Sequence, residues 1–309
     1  MTSGATVQGG QTISFTCGNC GATTNAVALG SSIRCPFCGS EHVITAAVSP
    51  DLPSIESLVP FEIPDTQVDA LYRQWLGEGF FRPKDIREKS SSHQMRAVFV
   101  PIWNCQGAAQ SSWSASAGYY RERQESYTRT DSDGNSVQDT RSVTDWRPAS
   151  GDHQGDYGRV LISASKGLPQ DWVQRLGGIN WQKETKYDDQ YLFGREAESP
   201  SMDRAGAVTF ATEQIKDRER SACHDLVPGD TQRDLNVSTR VTGVAGALLY
   251  LPVWLGSFQY NEKTYRCVVN GQTGTVDGDA PLSKGRIAMV AGGVLLLIVI
   301  IVIIVAIAR

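Results

Sequence analysis

Four cysteines near the start of the chain have the types and spacing of a metal site. Cys17 and Cys20 form one C-x-x-C pair, Cys35 and Cys38 form another, and a glycine follows each pair. The tight turn between paired cysteines directs both sulfurs inward, and four thiolates at ~2.3 Å close a tetrahedral zinc site. Because a closed site has no open coordination position, the sequence predicts a structural zinc ion rather than a catalytic one.

The elements that would position these cysteines are short β-strands. Residues 21–34 separate the two pairs, which is enough chain for a β-hairpin that brings the second pair to face the first. We therefore predict an N-terminal β zinc ribbon over residues 1–45 and a proline-containing linker over residues 46–58. A module of this size depends on its metal for folding. A redox role is the weaker interpretation, since two matched pairs occur.

The other cysteines and histidines form no recognisable catalytic pattern in the sequence. Cys105 and Cys267 lie on predicted strands, where cysteine packs as a small apolar residue. Cys223 and His224 are adjacent in a predicted helix, so their side chains point about 100° apart and do not form a nucleophile with its base. His42 could shield or replace a metal ligand, although four cysteines already complete the site. We therefore predict a protein without enzymatic activity.

Charge argues against a protein whose main task is to coat nucleic acid. The chain has a formal net charge of -4, and Arg34 is the only lysine or arginine within residues 1–50. Phosphate recognition needs a basic surface, so protein docking is favoured over nucleic-acid binding for the ribbon. Phe37 could stack on bases or pack the small core. Residues 1–16 lack the features of a secretory signal, and thiolate ligands need a reducing compartment, which indicates the cytoplasm.

An uncharged stretch, Ile287–Ala308, predicts a single C-terminal transmembrane helix. A helix of about 22 residues spans roughly 33 Å, which matches a hydrocarbon core of about 30 Å. A buried core helix is the alternative, but core helices rarely run this far without a polar residue. Lys284 and Arg286 precede the stretch and Arg309 follows it, so the positive-inside rule favours a cytoplasmic body. The sequence thus predicts a tail-anchored, single-pass protein of the inner membrane.

A second uncharged stretch, Val241–Tyr260, also needs an interpretation. It is long enough to resemble a membrane span, but Gly243, Gly246, Pro252 and Gly256 interrupt it. Its aromatic residues lie where strands place them. We therefore predict buried strands rather than a membrane segment.

Residues 59–283, between the linker and the membrane helix, have the pattern of an α+β body with mostly antiparallel sheet. One helix is predicted to begin near Asp65 and end at Gly77, and another to cover Met202–Cys223. The residues expected on the apolar faces are Val68, Leu71, Tyr72, Trp75 and Leu76 in the first helix and Ala205, Val208, Ala211, Ile215 and Ala222 in the second.

One strand pattern occurs twice in this body. Leu249–Trp254 and Val98–Trp103 share an apolar, aromatic, apolar, proline, β-branched, tryptophan order. The repeat indicates either two related halves, about 59–165 and 166–283, or independent convergence on the same solution for an edge strand. Six positions leave both interpretations open.

Taken together, these features resemble a family of bacterial zinc-ribbon proteins with a C-terminal membrane span. Such proteins are labelled zinc-ribbon proteins of the TFIIB type, or primosomal (replication factor Y) helicase-like proteins. The resemblance implies the architecture and no particular reaction, and some relatives carry two ribbons where this chain has one. A helicase would need a G-x-x-x-x-G-K-[ST] phosphate loop, which the sequence lacks. The residues that carry the resemblance are the four cysteines, Trp75–Phe81 with Pro83, Val100–Trp103, Leu251–Trp254 and Tyr265–Gly274.

The sequence favours a membrane-bound adaptor over an enzyme. The expected partners are the lipid bilayer, through residues 287–308, and a cytoplasmic protein that the ribbon and body recognise. The alternative is a membrane-associated nucleic-acid factor linked to replication or transcription, which would bind DNA or RNA in a salt-sensitive manner.

Overall fold

The computed structural model describes residues 12–27, 35, 37, 43–46, 53–92, 95–130, 136–192 and 195–307. They divide into two compact units. The first unit takes its residues from Met1–Trp103, Leu161–Asp203 and Ala247–Arg309, and the second from Asn104–Val160 and Arg204–Gly246.

The helices of the described chain are mostly short. The α-helices are α1 (Asp65–Gly77), α2 (Ile86–Lys89), α3 (Gln170–Arg175), α4 (Arg204–Leu226) and α5 (Lys284–Ile307), and single 3₁₀ turns occur at Trp181–Lys183 and Asp189–Leu192.

The strands include three that supply residues to both units, namely β6, β7 and β10. The strands are β1 (Thr12–Cys17), β2 (Thr23–Val27), β3 (Val43–Ala46), β4 (Ser57–Leu58), β5 (Ser91–Ser92), β6 (Arg96–Thr130), β7 (Ser136–Ser163), β8 (Thr185–Lys186), β9 (Glu196–Glu198), β10 (Thr231–Tyr260), β11 (Lys263–Asn270) and β12 (Val276–Gly278).

The sheet is mixed, and with the helices it confirms the α+β class. Along its main path the strand order is β12-β11-β10-β6-β9-β2-β1-β3. Neighbouring strands β10, β11 and β12 pair antiparallel, as do β1, β2 and β3. By contrast, β4 runs parallel to β10, and β9 runs parallel to β6. The domain boundaries predicted from the sequence and the duplication of the body stay predictions.

The core of the first unit lies on both faces of β6 and β10. Val98, Val100 and Ile102 of β6 pack in one cluster with the leucines and valine of β10 that occupy the same phase of the pleat. The next residues along, Phe99 and Tyr250, belong to a cluster on the other face. Burial on both faces over Leu248–Phe258 explains the apolar run in that part of β10. The stretch Val241–Tyr260 is a strand as predicted, but Thr242, Gly243 and Ala245 at its start are exposed.

Helix α1 begins at Asp65 and ends at Gly77, as the apolar pattern predicts. Four of the five residues expected on its apolar face are buried, and Leu71 is half-buried. Tyr72 and Trp75 pack with Phe258 of β10 in one aromatic cluster.

The second unit contains α4 and the parts of β6, β7 and β10 that belong to it. Helix α4 buries one side chain every fourth residue, at Ala207, Ala211, Ile215, Glu219 and Cys223. The predicted face was therefore wrong in part, because Ala205 is exposed and the buried face includes a carboxylate.

Helix α5 is long and apolar enough to cross a membrane. Its stretch Lys284–Ala306 has none of its most apolar window buried. Leu295 and Leu296 are 64% and 62% exposed. The helix covers most of the predicted span, Ile287–Ala308, whose last residue lies outside the described part of the chain.

Candidate metal centre

The first cysteine pair closes a tight turn at the end of β1. The amide of Gly21 donates to the carbonyl of Cys17 at 2.8 Å, and the amide of Cys17 donates to the carbonyl of Ala22 at 2.8 Å. Gly21 has φ +73°, a left-handed conformation that favours glycine. The glycine after the pair therefore lets the chain turn back past the second cysteine.

Three of the four predicted ligands come together. The sulfurs of Cys17, Cys20 and Cys35 all lie within 4.8 Å of one another, and those of Cys20 and Cys35 are 3.6 Å apart. Four sulfurs bound to zinc at ~2.3 Å would be about 3.8 Å apart, so this separation fits a shared tetrahedral metal. Cys38 and His42 lie outside the described residues. The cluster could hold a metal ion, and the fourth ligand stays a prediction.

This cluster is built into the first unit rather than onto its surface. Cys17 and Cys35 are 3% and 5% exposed, and both pack in the same cluster as the valines of β6. Phe37 is also buried there, and a β-carbon added to Gly167 would fall 1.8 Å from its ring. Phe37 therefore packs the core, which is one of the two roles considered for it.

A strand ladder continues from the cysteine turn into the sheet. In β2, Thr24 pairs antiparallel with Glu198 of β9, and the amide of Ser199 donates to the carbonyl of Thr23 at 2.8 Å. These bonds join the strand that follows Cys20 to a strand from a distant part of the chain. No local sequence signal predicts this pairing, because β9 is only three residues long.

Glu198 is a fully buried acid beside the cysteine turn. Its carboxylate accepts hydrogen bonds from the amides of Lys166 and Gly167, at 2.9 and 3.2 Å, and from the hydroxyl of Ser165. Burial, which outweighs these hydrogen bonds, raises the pKa of Glu198 to about 7. The loop 165–167 thus binds β9 through Glu198 and contacts Phe37 through Gly167. It therefore helps to fix strand β9 and the Phe37 ring, which both pack near the cysteine cluster.

The isolated cysteines behave as the sequence predicts. Cys105 and Cys267 are 0% and 2% exposed. Burial raises the pKa of Cys105 to about 11 and that of Cys267 to about 12, so both thiols are protonated at neutral pH. His224 is exposed, with Nδ1 3.2 Å from the Asp225 carboxylate, whereas Cys223 is fully buried. The side chains of Cys223 and His224 therefore point apart, as expected for neighbours in a helix.

A second group of side chains that could hold a metal ion lies in the second unit, and it was not predicted from the sequence. Donor atoms of His153, Glu219 and Cys223 lie within 4.8 Å of one another. Burial acts to raise the pKa of Glu219, but hydrogen bonds from His153, Ser111 and Tyr157 outweigh it and lower that pKa. The available signal was the spacing of Glu219 and Cys223, four residues apart on one helix face.

Comparison with known proteins gives one distant relative. The chain is 23% identical over 241 residues to the uncharacterized protein YdjG of Bacillus subtilis (strain 168), which covers 77% of this chain and 67% of that protein. No family model matches the chain, and no solved structure matches it. The similarity is compatible with the family resemblance and gives no activity.

Proposed function

We propose that this protein is a non-enzymatic adaptor, held at a membrane by α5, that binds a cytoplasmic protein partner. We also propose that Cys17, Cys20, Cys35 and Cys38 hold a structural zinc ion in an N-terminal ribbon. The observation that carries the zinc proposal is the burial of Cys17 and Cys35 in the core of the first unit, with Cys20 half-buried beside them, because a metal held by core residues stabilises a fold.

Thiol chemistry supports the choice of metal. Soft sulfur ligands in a tetrahedral arrangement select zinc over the hard cations, which prefer oxygen. Once the metal is removed, no bond would hold the sulfurs of Cys17, Cys20 and Cys35 together beside the buried Glu198. Metal release should therefore loosen the β2–β9 ladder and the surface that the ribbon presents.

The exposure of α5 supports membrane attachment. An apolar helix with bare leucine side chains is unfavourable in water and favourable in hydrocarbon, where it also satisfies its own backbone. Lys284 and Arg286 at its N-terminal end favour a cytoplasmic location for the preceding chain under the positive-inside rule. This side is also the reducing compartment that zinc-bound thiolates need.

The experiment is a capture of the full-length protein from its native host in mild detergent, with and without nuclease. An adaptor retains specific protein partners after nuclease treatment. The matched control is a variant with Cys17→Ser and Cys35→Ser, which keeps α5 and should lose those partners. A second control, Cys105→Ser, removes a buried cysteine that lies outside the cluster and should keep them.

The same capture tests the nucleic-acid alternative. If nuclease removes the partners and nucleic acid is the material that bound them, the protein is a nucleic-acid factor and the adaptor proposal is wrong. The burial of Phe37 counts against that alternative, because a buried ring is unable to stack on a base.

A further inference from the structure

Glu219 is the most unusual residue of the second unit. It lies on the buried face of α4, between Ile215 and Cys223, and its side chain is 0% exposed. A buried carboxylate is strongly destabilising unless nearby groups compensate its charge or its lost hydration. This carboxylate therefore needs hydrogen-bonding or charged neighbours, and the chemistry of those neighbours indicates what the site could bind.

Three side chains from the sheet surround the carboxylate. Ser111 of β6 donates to Oε2 at 2.7 Å, and Tyr157 of β7 donates to Oε1 at 2.7 Å. His153 of β7 places Nδ1 3.0 Å from Oε2 and 3.2 Å from Oε1. The hydroxyls of Ser111 and Tyr157 thus orient the carboxylate, and Nδ1 of His153 faces both carboxylate oxygens.

The backbone also leaves room for the carboxylate. His153, Gly155 and Tyr157 alternate along one face of β7. A β-carbon at Gly155 would lie 2.7 Å from Oε1 of Glu219 and 2.9 Å from the Tyr157 ring. A larger residue at this position would therefore have to displace the carboxylate or the ring.

Cys223 adds a sulfur to the nitrogen and oxygen donors. It lies four residues after Glu219 on the same helix face, the spacing at which two ligands on one helix reach one metal. Metal bonds of ~2.0–2.3 Å require donors about 3.3–3.8 Å apart in a tetrahedron. The His153 and Glu219 donors, 3.0 and 3.2 Å apart, would have to separate by a few tenths of an ångström to admit an ion, and the Cys223 sulfur lies within 4.8 Å of both. A donor set of imidazole, carboxylate and thiolate is typical of zinc.

One side of this cluster is open. A cavity of about 830 Å³ within the second unit is lined by Ser111, His153, Thr239 and Arg240, among other polar residues. The His153 side chain is 27% exposed. Of the three proposed ligands, His153 lines this cavity, whereas Glu219 and Cys223 are fully buried, so a fourth ligand would approach the metal past His153.

We propose that His153, Glu219 and Cys223 form a second site for a divalent metal of the zinc class, with a fourth position open to water or a small anionic ligand. Ser111 and Tyr157 are positioning residues that act through the Glu219 carboxylate. The site adds metal binding to the adaptor and assigns it no reaction. The competing arrangement is a buried His153–Glu219 ion pair without any metal.

The test is the metal content of the full-length protein, purified in mild detergent, equilibrated with zinc and freed of loosely bound ions. The proposal predicts two zinc ions per chain. Glu219→Gln and Cys223→Ser should each reduce the content to one, and Cys17→Ser with Cys35→Ser should remove the other. His224→Asn is the matched control, since it changes an exposed histidine next to Cys223 and should leave two.

A spectroscopic measurement keeps the test decisive if Glu219→Gln does not fold. Cobalt loaded into the wild-type protein should give two distinct sets of bands, one from a site with several thiolates and one from a site with a single thiolate. His153→Gln, which changes a partly exposed side chain, should remove only the second set. One zinc per wild-type chain with a single cobalt spectrum would overturn the proposal and leave the ion pair.

Discussion

The seven cysteines of this chain acquire their chemistry from their neighbours. Cys17, Cys20 and Cys35 lie close enough to share a metal, as their C-x-x-C spacing in the sequence predicts. Cys105 and Cys267 are single buried thiols, and burial raises the pKa of each. A thiol reacts with an alkylating reagent through its thiolate, so these two groups should differ sharply in reactivity.

Alkylation followed by mass mapping measures this difference. At pH 7.5 and without a chelator, iodoacetamide should leave both groups largely unmodified, because metal protects the first and burial the second. A chelator should expose Cys17, Cys20 and Cys35 to modification while Cys105 and Cys267 stay unmodified. Modification of the clustered cysteines at the same rate with and without chelator would mean that no metal is bound there.

The burial of the Glu219 carboxylate was not predicted from the sequence, because its hydrogen-bond partners lie far away along the chain. The sequence places an acid within a stripe of small and apolar residues, which breaks the pattern used to assign a buried face. The compensating groups, Ser111, Tyr157 and His153, lie 108, 62 and 66 residues away along the chain. A single sequence carries no signal that joins groups so far apart.

At the scale of elements, apolar patterns were insufficient for the buried face of α4, which includes Glu219, but sufficient where apolar side chains dominate the buried face. Helix α1 and the strand that contains Val241–Tyr260 were predicted for that reason. The pairing of β2 with β9 could not be predicted, because a three-residue strand has no periodicity to read. That pairing, together with the contact of Phe37 with Gly167, links the cysteine cluster to the core of the first unit.

Substitution of Gly167 by alanine tests this link. The added β-carbon would overlap the Phe37 ring, and overpacking of a core typically costs about 1–3 kcal/mol. We expect faster transfer of zinc from the Gly167→Ala protein to a colorimetric chelator, with a lower unfolding temperature. Gly178→Ala is the matched control, since nothing lies within 4 Å of its added β-carbon. Equal zinc-release rates for the two variants would show that Phe37 does not couple the cluster to the core.

Charged substitutions in α5 test its role as a membrane helix. Leu296→Lys and Ile300→Lys lie near the middle of the helix, where each lysine opposes insertion by about 2.5–3.5 kcal/mol. The double variant should move from the membrane fraction to the soluble fraction of the cell. Leu282→Lys, which lies just before the helix and is 63% exposed, should remain with the membrane. Continued membrane attachment of the double variant would require another membrane-binding segment.

At the scale of the whole molecule, the two candidate metal clusters and the apolar helix α5 would serve different purposes. The enclosed cysteines suit a structural metal, and the exposed apolar helix suits attachment to a bilayer. The cluster of the second unit lies beside an open polar cavity and suits an exchangeable ligand. The proposed adaptor would need a stable recognition surface and a fixed location, and these features are compatible with both.

The most direct test of the adaptor proposal is the location of its partner in living cells. Partners captured by the full-length protein should be membrane-associated when the wild-type protein is present. They should move to the soluble fraction, still bound, when it is replaced by the Leu296→Lys, Ile300→Lys variant. A partner whose distribution is the same with the wild-type and the variant protein would contradict the proposal, because the adaptor would then not determine where that partner is.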